Sequence, residues 1–482
     1  MTNTTTAGAV RANLEVVAIG LGALMAALAQ TLVIPVLPVI AGDLHASTTQ
    51  ALWLLTSTLL VAAVAVPVIG RLADMFGRRL MLLLCLGALL VGSLIDALTS
   101  NVGVMIAGRA LTGVSSAAIP LGISLLAAVL PPERRGSAVA LVSAMLGVGG
   151  ALGLPLAGLI GDHLDYHILY WIGAVGAALS MIATRVLVGE PPTARRGSVD
   201  YLGILLLAGG LVSLVLPLSE GSGWGWGSAR TIGLLVASVV LLAVLAVVEL
   251  RVRHPLVDMR TLANPPIAIT NVASIFIGFA LFASFVGTAN YVQAPTISGY
   301  GFGSSVLTAG LCLLPSGVLM LLLSPVAARL INAWSAARVL TLAGVIIAAG
   351  LLMRIFATSS LWEIIVGASI VGAGTGIGYA SLPALINTHT PDEDLAAANS
   401  INSLARSLGS TLASAVGGSL LAAITLTVGG VTLPSLAAYR ILFAICAVAA
   451  LLAALAGVIM ASMRGTAHDR TAPDDRLAEP AV

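Results

Sequence analysis

Two arginines, Arg109 and Arg406, stand inside otherwise apolar stretches. A charged side chain there is costly unless it faces protein, a partner or water. By their spacing Arg109, Thr112 and Ser116 share one helix face, and Asn399, Ser403, Arg406, Ser410 and Ser414 form a similar stripe. Such stripes either line a water-filled cavity or hydrogen-bond a neighbouring helix, the latter at under about 1 kcal/mol per contact in lipid. Gln30, Thr31 and Asn290 add neutral polar groups to a candidate path for a substrate or proton. Asp74 and Asp96 are the candidate titrating acids. Like Glu15, Glu220, Glu249 and Glu363, Asp96 falls at the end of an apolar run, and no run carries an acid at its centre. Whether Arg109 pairs with Asp96 is open, because contacts across helices do not follow from spacing. These groups can hold a solute or a proton, but they form no catalytic constellation: there is no HExxH, no GxSxG and no paired intramembrane acids. The expectation is a protein that is not an enzyme and takes no cofactor.

Composition dictates how such groups are positioned. The chain has 482 residues, 59% hydrophobic and 9% charged, with mean hydropathy +1.07. Soluble domains are roughly 25% charged, so an ordinary water-soluble protein is excluded. All 22 basic residues are Arg, which rules out a P-loop ATPase, whose phosphate-binding motif needs Lys. A net charge of +2 is no nucleic-acid footprint. Cys85, Cys312 and Cys446 lie apart in apolar runs, and His163 and His167 lack further ligands, so neither disulfides nor a metal site is expected.

Apolar runs predict fourteen helices, near 14–41, 51–70, 79–98, 102–130, 138–161, 167–188, 200–219, 231–249, 267–290, 304–326, 337–357, 361–388, 396–424 and 438–462. Residues 1–13 are polar and Thr-rich with no signal-peptide pattern, and 463–482 read as a disordered tail. With fourteen spans, 17 arginines fall on one face (among them Arg71, Arg78, Arg79, Arg195, Arg196 and Arg253). Three fall on the other: Arg230, Arg354 and Arg440. The positive-inside rule then makes both termini cytoplasmic.

A repeat is also present. Gly70-Arg-Leu-Ala-Asp-Met-Phe-Gly-Arg-Arg-Leu80 aligns with 328–338 at an offset of 258, and 131–138 with 391–398 at an offset of 260. This gives an all-α polytopic membrane protein of six helices (14–188), two inserted ones (189–266) and six more (267–462). Transporters built from repeated halves bind substrate between them, near the midplane.

The segment Gly70, Arg71, Asp74, Gly77, Arg78, Arg79 closes the turn between the second and third helices. Its glycines allow close approach, and Asp74 can face the positive N-terminus of the third helix or of a neighbour. Its arginines can pair with Asp74 or with anionic lipid heads. This segment resembles the loop signature of the major facilitator superfamily almost residue for residue. Arg109-Ala-Leu-Thr-Gly113 looks like the family's R-x-x-q-G, with Thr112 in place of Gln. Gly149, Gly153, Pro155 and Gly158 resemble its antiporter signature, with Pro one place late. Residues 249–260, Ser219-Glu-Gly, Trp224-Gly-Trp226 and 299–303 look like the fourteen-helix drug/proton antiporter branch. The resemblance covers about residues 14–462.

It implies the major facilitator fold and multidrug-type export from a bacterial cytoplasmic membrane by alternating access, driven in most relatives by inward proton flow. The implied partners are lipophilic small molecules, protons and membrane lipids, and the protein would act as a monomer. On this reading Asp74 and the loop arginines form the cytoplasmic gate; Gln30, Thr31, Arg109, Thr112, Asn290 and Arg406 line the path; and the glycine-rich helix couples the halves. One departure stands out: where the branch reads L-D-x-T, this chain has Leu28-Ala29-Gln30-Thr31. The usual proton-coupling acid is missing. The alternative is an exporter of lipid or an endogenous metabolite with weak or no proton coupling. Gly299-Tyr-Gly301 lacks the context of a potassium filter.

Overall fold

The computed structural model describes residues 2–46, 48–191, 200–252, 255–428 and 431–469. Arg195, Arg196, Arg253 and residues 470–482 of the expected tail lie outside them. The first half comprises α1 (Thr2–Thr31), α2 (Val33–Asp43), α3 (Thr48–Phe76), α4 (Arg78–Leu98), α5 (Val102–Gly113), α6 (Ala118–Val129), α7 (Pro132–His163) and α8 (His167–Leu187). Next come α9 (Tyr201–Trp224), α10 (Ala229–Glu249) and the short α11 (Met259–Leu262). The second half is α12 (Pro265–Gln293), α13 (Val306–Ala333), α14 (Ala336–Phe356), α15 (Leu361–His389), α16 (Leu395–Ala423) and α17 (Leu436–Asp469), with a hairpin of β1 (Thr425–Val428) and β2 (Val431–Pro434) before the last helix.

Departures from expectation have local causes. The helix expected at 102–130 is interrupted by a 3-10 turn at Val114–Ala117. Pro120 has no N–H to return to residue 116, which loosens the ladder there. The helix expected at 14–41 breaks at Leu32, just ahead of Pro35, for the same reason. Residues 2–13 of the polar segment are not a separate unit but the start of α1, and α17 continues past the expected end at 462. The hairpin replaces what reads as a plain loop.

Thirteen stretches among the described residues are long and apolar enough to cross a membrane. α16 is not among them although it has 29 residues, because Asn399, Asn402, Ser403, Arg406 and Ser410 dilute its apolar character. The repeat is visible in the architecture: α4 and α14 each have 21 residues and begin 258 positions apart. Separate buried clusters fill the first half (Ile19, Leu86, Leu121, Val142) and the second (Ile277, Leu340, Ile364, Phe443). A smaller one joins α9 to both, through Ala63 on α3, Leu211 on α9 and Leu404 on α16. The inserted pair is therefore wedged against the two halves, with α10 outermost.

Candidate functional site

One end of the bundle is latched by charged groups. Gly77 ends α3 at φ +112, a region that favours glycine, and turns the chain into α4. Asp74, one turn earlier, is 3% exposed. Its Oδ1 accepts from Arg78 Nε (3.3 Å), Arg78 Nη2 (3.1 Å) and the Ala396 N–H (3.2 Å), and its Oδ2 from the Ala397 N–H (2.8 Å). Of the two partners open from sequence, the structure chooses the neighbouring helix. The carboxylate sits on the free N–H groups of α16, where the helix dipole favours an anion. Arg78 also donates to the carbonyls of Ser124 and Asp392, and Arg71 pairs with Asp394 at 3.6 Å. A β-carbon at Gly70 would fall 2.5 Å from Ser400 Cβ, so Gly70 is what lets α3 reach α16. Arg79 is turned away: it donates to the Arg185 carbonyl on α8, while Glu190 accepts the main-chain N–H groups of Arg79 and Leu80. It braces the first half and does not join the latch.

The expected path residues are not gathered into one pocket. Arg109 is buried and donates to the carbonyls of Ala29 (2.9 Å) and Leu54 (3.3 Å), tying α5 to α1 and α3. Gln30 donates to Ser116 (3.3 Å), and Thr31 to the Gly149 carbonyl (3.2 Å). Thr112 turns back onto Gly108 of its own helix. Asn290 is exposed at the end of α12. Arg406 donates to Asn402 (3.0 Å) and lies over the Tyr379 ring at 5.2 Å; Asn402 in turn donates to Asn271 and Ser274 on α12. The first-half residues and Arg406 thus belong to two separate polar networks, one in each half.

Asp96 differs from all of these. It is 0% exposed although it lies in the last turn of α4, and neither carboxylate oxygen has a hydrogen-bond partner. It presses on Gly108 of α5, with the charge of Arg109 and the Tyr170 hydroxyl in its electrostatic surroundings. Position at a helix end did not mean exposure. Outside the spans, Asp165 accepts from the His167 main-chain N–H (2.9 Å) and lies 2.6 Å from its ring, which holds the Asp165 carboxyl below its usual range. The His163 side chain lies outside the described residues.

The halves also meet along α7 and α13. β-carbons at Gly149 and Gly153 would strike Ala27 and Thr31, so those two glycines pack on α1 within the first half and not across the halves as expected. The crossing is made on other positions of α7, where a β-carbon at Gly147 would strike Met320, Ala151 faces Gly317, Pro155 lies against Gly310 and a β-carbon at Gly158 would stand 2.7 Å from the Leu307 nitrogen.

A family profile described as Major Facilitator Superfamily matches residues 19–312 and 275–480. This chain belongs to the Major Facilitator Superfamily. It is therefore a multi-pass membrane protein of a transporter family, not an enzyme. Similar proteins include an uncharacterised transporter of this type from Mycobacterium tuberculosis, 31% identical over 85% of this chain and 60% of the relative. The tetracenomycin C resistance and export protein of Streptomyces glaucescens is 28% identical over 84% of this chain and 75% of its own length. The multidrug export protein EmrB of Escherichia coli is 27% identical over 83% and 78%. The alignment thus spans about 60% of the first of these relatives and three quarters or more of the other two. In fold the chain is similar to the human organic anion transporter MFSD10, with TM-score 0.63, 16% identity, 92% of this chain and 99% of that one covered.

The internal repeat brings out a residue that the sequence places at the outer face, in the helix expected at 337–357. The offset of 258 carries Asp96 onto Arg354, which is 0% exposed in α14. Arg354 donates to Thr288 Oγ1 (2.7 Å), stands 4.6 Å over the Phe443 ring, and leaves Nε and Nη2 unpartnered. Asp96 rests on Gly108 and Arg354 on Gly367, so the halves of this superfamily member bury an acidic and a basic side chain at matched places. Alignment of the repeat beyond its loops would have found the pair. Asn402, too, is absent from the predicted stripe, although it stands four residues before Arg406.

The α7–α13 seam yields a direct expectation. Gly158→Ala should cut transport by roughly 5- to 100-fold, because overpacking a tight contact costs about 1–3 kcal/mol. Gly87→Ala, which meets nothing within 4 Å, should transport normally. Transport rates and thermal unfolding of both variants in parallel check this, and equal rates would refute it.

Proposed function

We propose that this protein exports lipophilic or amphiphilic small molecules by alternating access, driven by inward proton flow. The observation that carries the reading is the latch: a carboxylate on one half caps a helix of the other, in a contact that can break and re-form as a unit. Relatives named for multidrug resistance and antibiotic export are similar along most of this chain. The unpartnered Asp96 beside Arg109 supports proton coupling and is the candidate replacement for the acid missing at Ala29. A buried carboxylate in the bilayer is costly and is kept where a proton or cation must be handled. Asp74, the other candidate titrating acid, anchors the gate through its four donors.

In this reading the spans number fourteen, the thirteen apolar ones and α16. They divide into bundles 14–188 and 267–462 with the inserted pair between them, in a bacterial cytoplasmic membrane with the latch and both termini on the cytoplasmic side. The protein acts as a monomer, with lipid heads near the exposed arginines of the latch end.

A second reading, export of a lipid or endogenous amphiphile without proton coupling, draws support from Ala29 and from the buried arginines. Transport in proteoliposomes separates the two, using a lipophilic dye and a labelled phospholipid with and without an imposed ΔpH. Dye movement that follows ΔpH is the expected result. Phospholipid movement, or dye movement indifferent to ΔpH, would overturn the proton-driven reading.

A further inference from the structure

The inserted helices carry a buried acid that neither the gate nor the proposed transport path uses. Glu249, the last residue of α10, is 3% exposed, and neither of its carboxylate oxygens has a hydrogen-bond partner. The main-chain N–H groups of Leu256 and Val257 face it without reaching hydrogen-bond geometry. Asp200 approaches from the start of α9. Its Oδ1 is fixed by the Gly203 N–H at 2.8 Å, as the N-cap of that helix, while its Oδ2 is buried and unpartnered. The two acids converge: a β-carbon at Gly203 would lie 2.6 Å from Asp200 Oδ2 and 2.6 Å from Glu249 Oε1. Glycine at 203 leaves that space to the two oxygens.

Two carboxylates so placed repel each other when both are ionised. Among the described residues, Arg71 on α3 is a cation whose charge acts on Glu249. Arg71 is itself buried, and its partner in the latch is Asp394 at 3.6 Å, longer than a tight ion-paired hydrogen bond. Arg71, Asp258 and Asp394 line one recess together with Leu256 and Val257. Arg251, beyond the end of α10, is exposed to solvent. Arg71 therefore stands between an acid of the insert and an acid of the second half. α9 is wedged between α3 and α16, and at its other end Trp226 donates to Ser419 of α16 at 2.8 Å.

We propose that Asp200 and Glu249 form a proton-binding carboxyl pair whose occupancy controls the latch, by competing with Asp394 for Arg71. With one proton bound, the pair carries a single negative charge and Arg71 stays with Asp394. When that proton leaves, the second charge draws Arg71 toward Glu249, and the contact between α3 and α16 weakens. The inserted helices thus serve as a proton-responsive arm of the gate. This holds whichever acid drives transport.

The test uses the full-length protein in lipid nanodiscs, with nitroxide labels on Phe76→Cys and Thr388→Cys, exposed positions on either side of the latch. The native cysteines are buried. Pulsed electron–electron resonance is recorded without substrate or gradient between about pH 5.5 and about pH 8.5, and the unlatched fraction should rise severalfold with pH as the pair loses its proton. Glu249→Gln, which mimics the protonated acid, should hold the latch closed and flatten the profile. Asp200→Asn removes a like charge and should move the midpoint to lower pH. Glu249→Asp keeps a titrating group and should keep a pH response, which guards against loss of fold in the Gln variant. Asp96→Asn should keep the wild-type profile even where transport is lost, so failure of the transport reading and failure of this one are distinguishable. A flat wild-type profile, or an unchanged profile in Glu249→Gln and Asp200→Asn, would overturn the proposal.

Discussion

Asp96→Asn should abolish gradient-driven accumulation of substrate while substrate binding persists. The substitution keeps the shape of the side chain, so the contact against Gly108 and the packing of α4 on α5 are retained. What it removes is the capacity to take and release a proton. Neither oxygen of Asp96 has a hydrogen-bond partner, so no structural bond is lost with the charge. Arg109 keeps its bonds to Ala29 and Leu54, which do not involve the acid. If Asp96 carries the coupling proton, accumulation under ΔpH should fall at least about tenfold, toward background, in a chain with no acid at the centre of any apolar run. Equilibrium dye binding, measured by fluorescence, should change little. Retained accumulation at the wild-type rate would remove Asp96 from the mechanism and turn attention to the uncoupled reading.

The second large effect is expected at Asp74. Asp74→Ala leaves Arg78 without its carboxylate and uncaps the first N–H groups of α16, all in a buried setting. The Asp74–Arg78 pair lies within the first half, so what the closed state loses is the two bonds from the α16 N–H groups to a charged acceptor, about 1.5–3 kcal/mol each. Because the bonds to α16 exist only while the latch is closed, that cost falls on the closed state. The closed population should then drop by roughly two to four orders of magnitude relative to the open one, at 1.4 kcal/mol per tenfold. Spin-label distances between the end of α3 and the start of α16 should lengthen, and net export should fall, while each half keeps its own core and unfolds near the wild-type temperature. Asp74→Asn retains an acceptor for the α16 N–H groups and should fall between the two. An unchanged distance distribution in Asp74→Ala would mean that the latch rests on packing at Gly70 and not on the bonds from α16 to Asp74.

Much of the architecture was legible because a bilayer leaves a chain few choices. Runs of apolar residues long enough to span it must become helices, since no water is present to satisfy exposed main-chain groups. The interruptions were harder to read: the breaks before Pro35 and Pro120 follow from the missing proline N–H, but how far a break spreads depends on neighbouring helices. The polar stripe on α16 marked that helix as protein-facing, although the same stripe keeps it from reading as a span by hydropathy alone. Arg79 shows the limit of a motif. Its spacing is shared with Arg78, yet one arginine joins the latch and the other braces α8, because Gly77 turns the chain between them and Asp74.

By itself the sequence determined a polytopic all-helical protein of repeated halves, a charged turn at the end of α3, and the absence of the usual acid at Ala29. These follow from composition, periodicity and residue identity, which act along the chain. Only the tertiary structure decided that Asp74 caps α16, that acidic Asp96 and basic Arg354 are buried at matched places, and that Asp200 and Glu249 converge at Gly203. Those outcomes depend on which helix faces lie within a few ångströms of each other. The desolvation and pairing of a charge are set by neighbours distant in sequence, and spacing along a single helix carries no record of them.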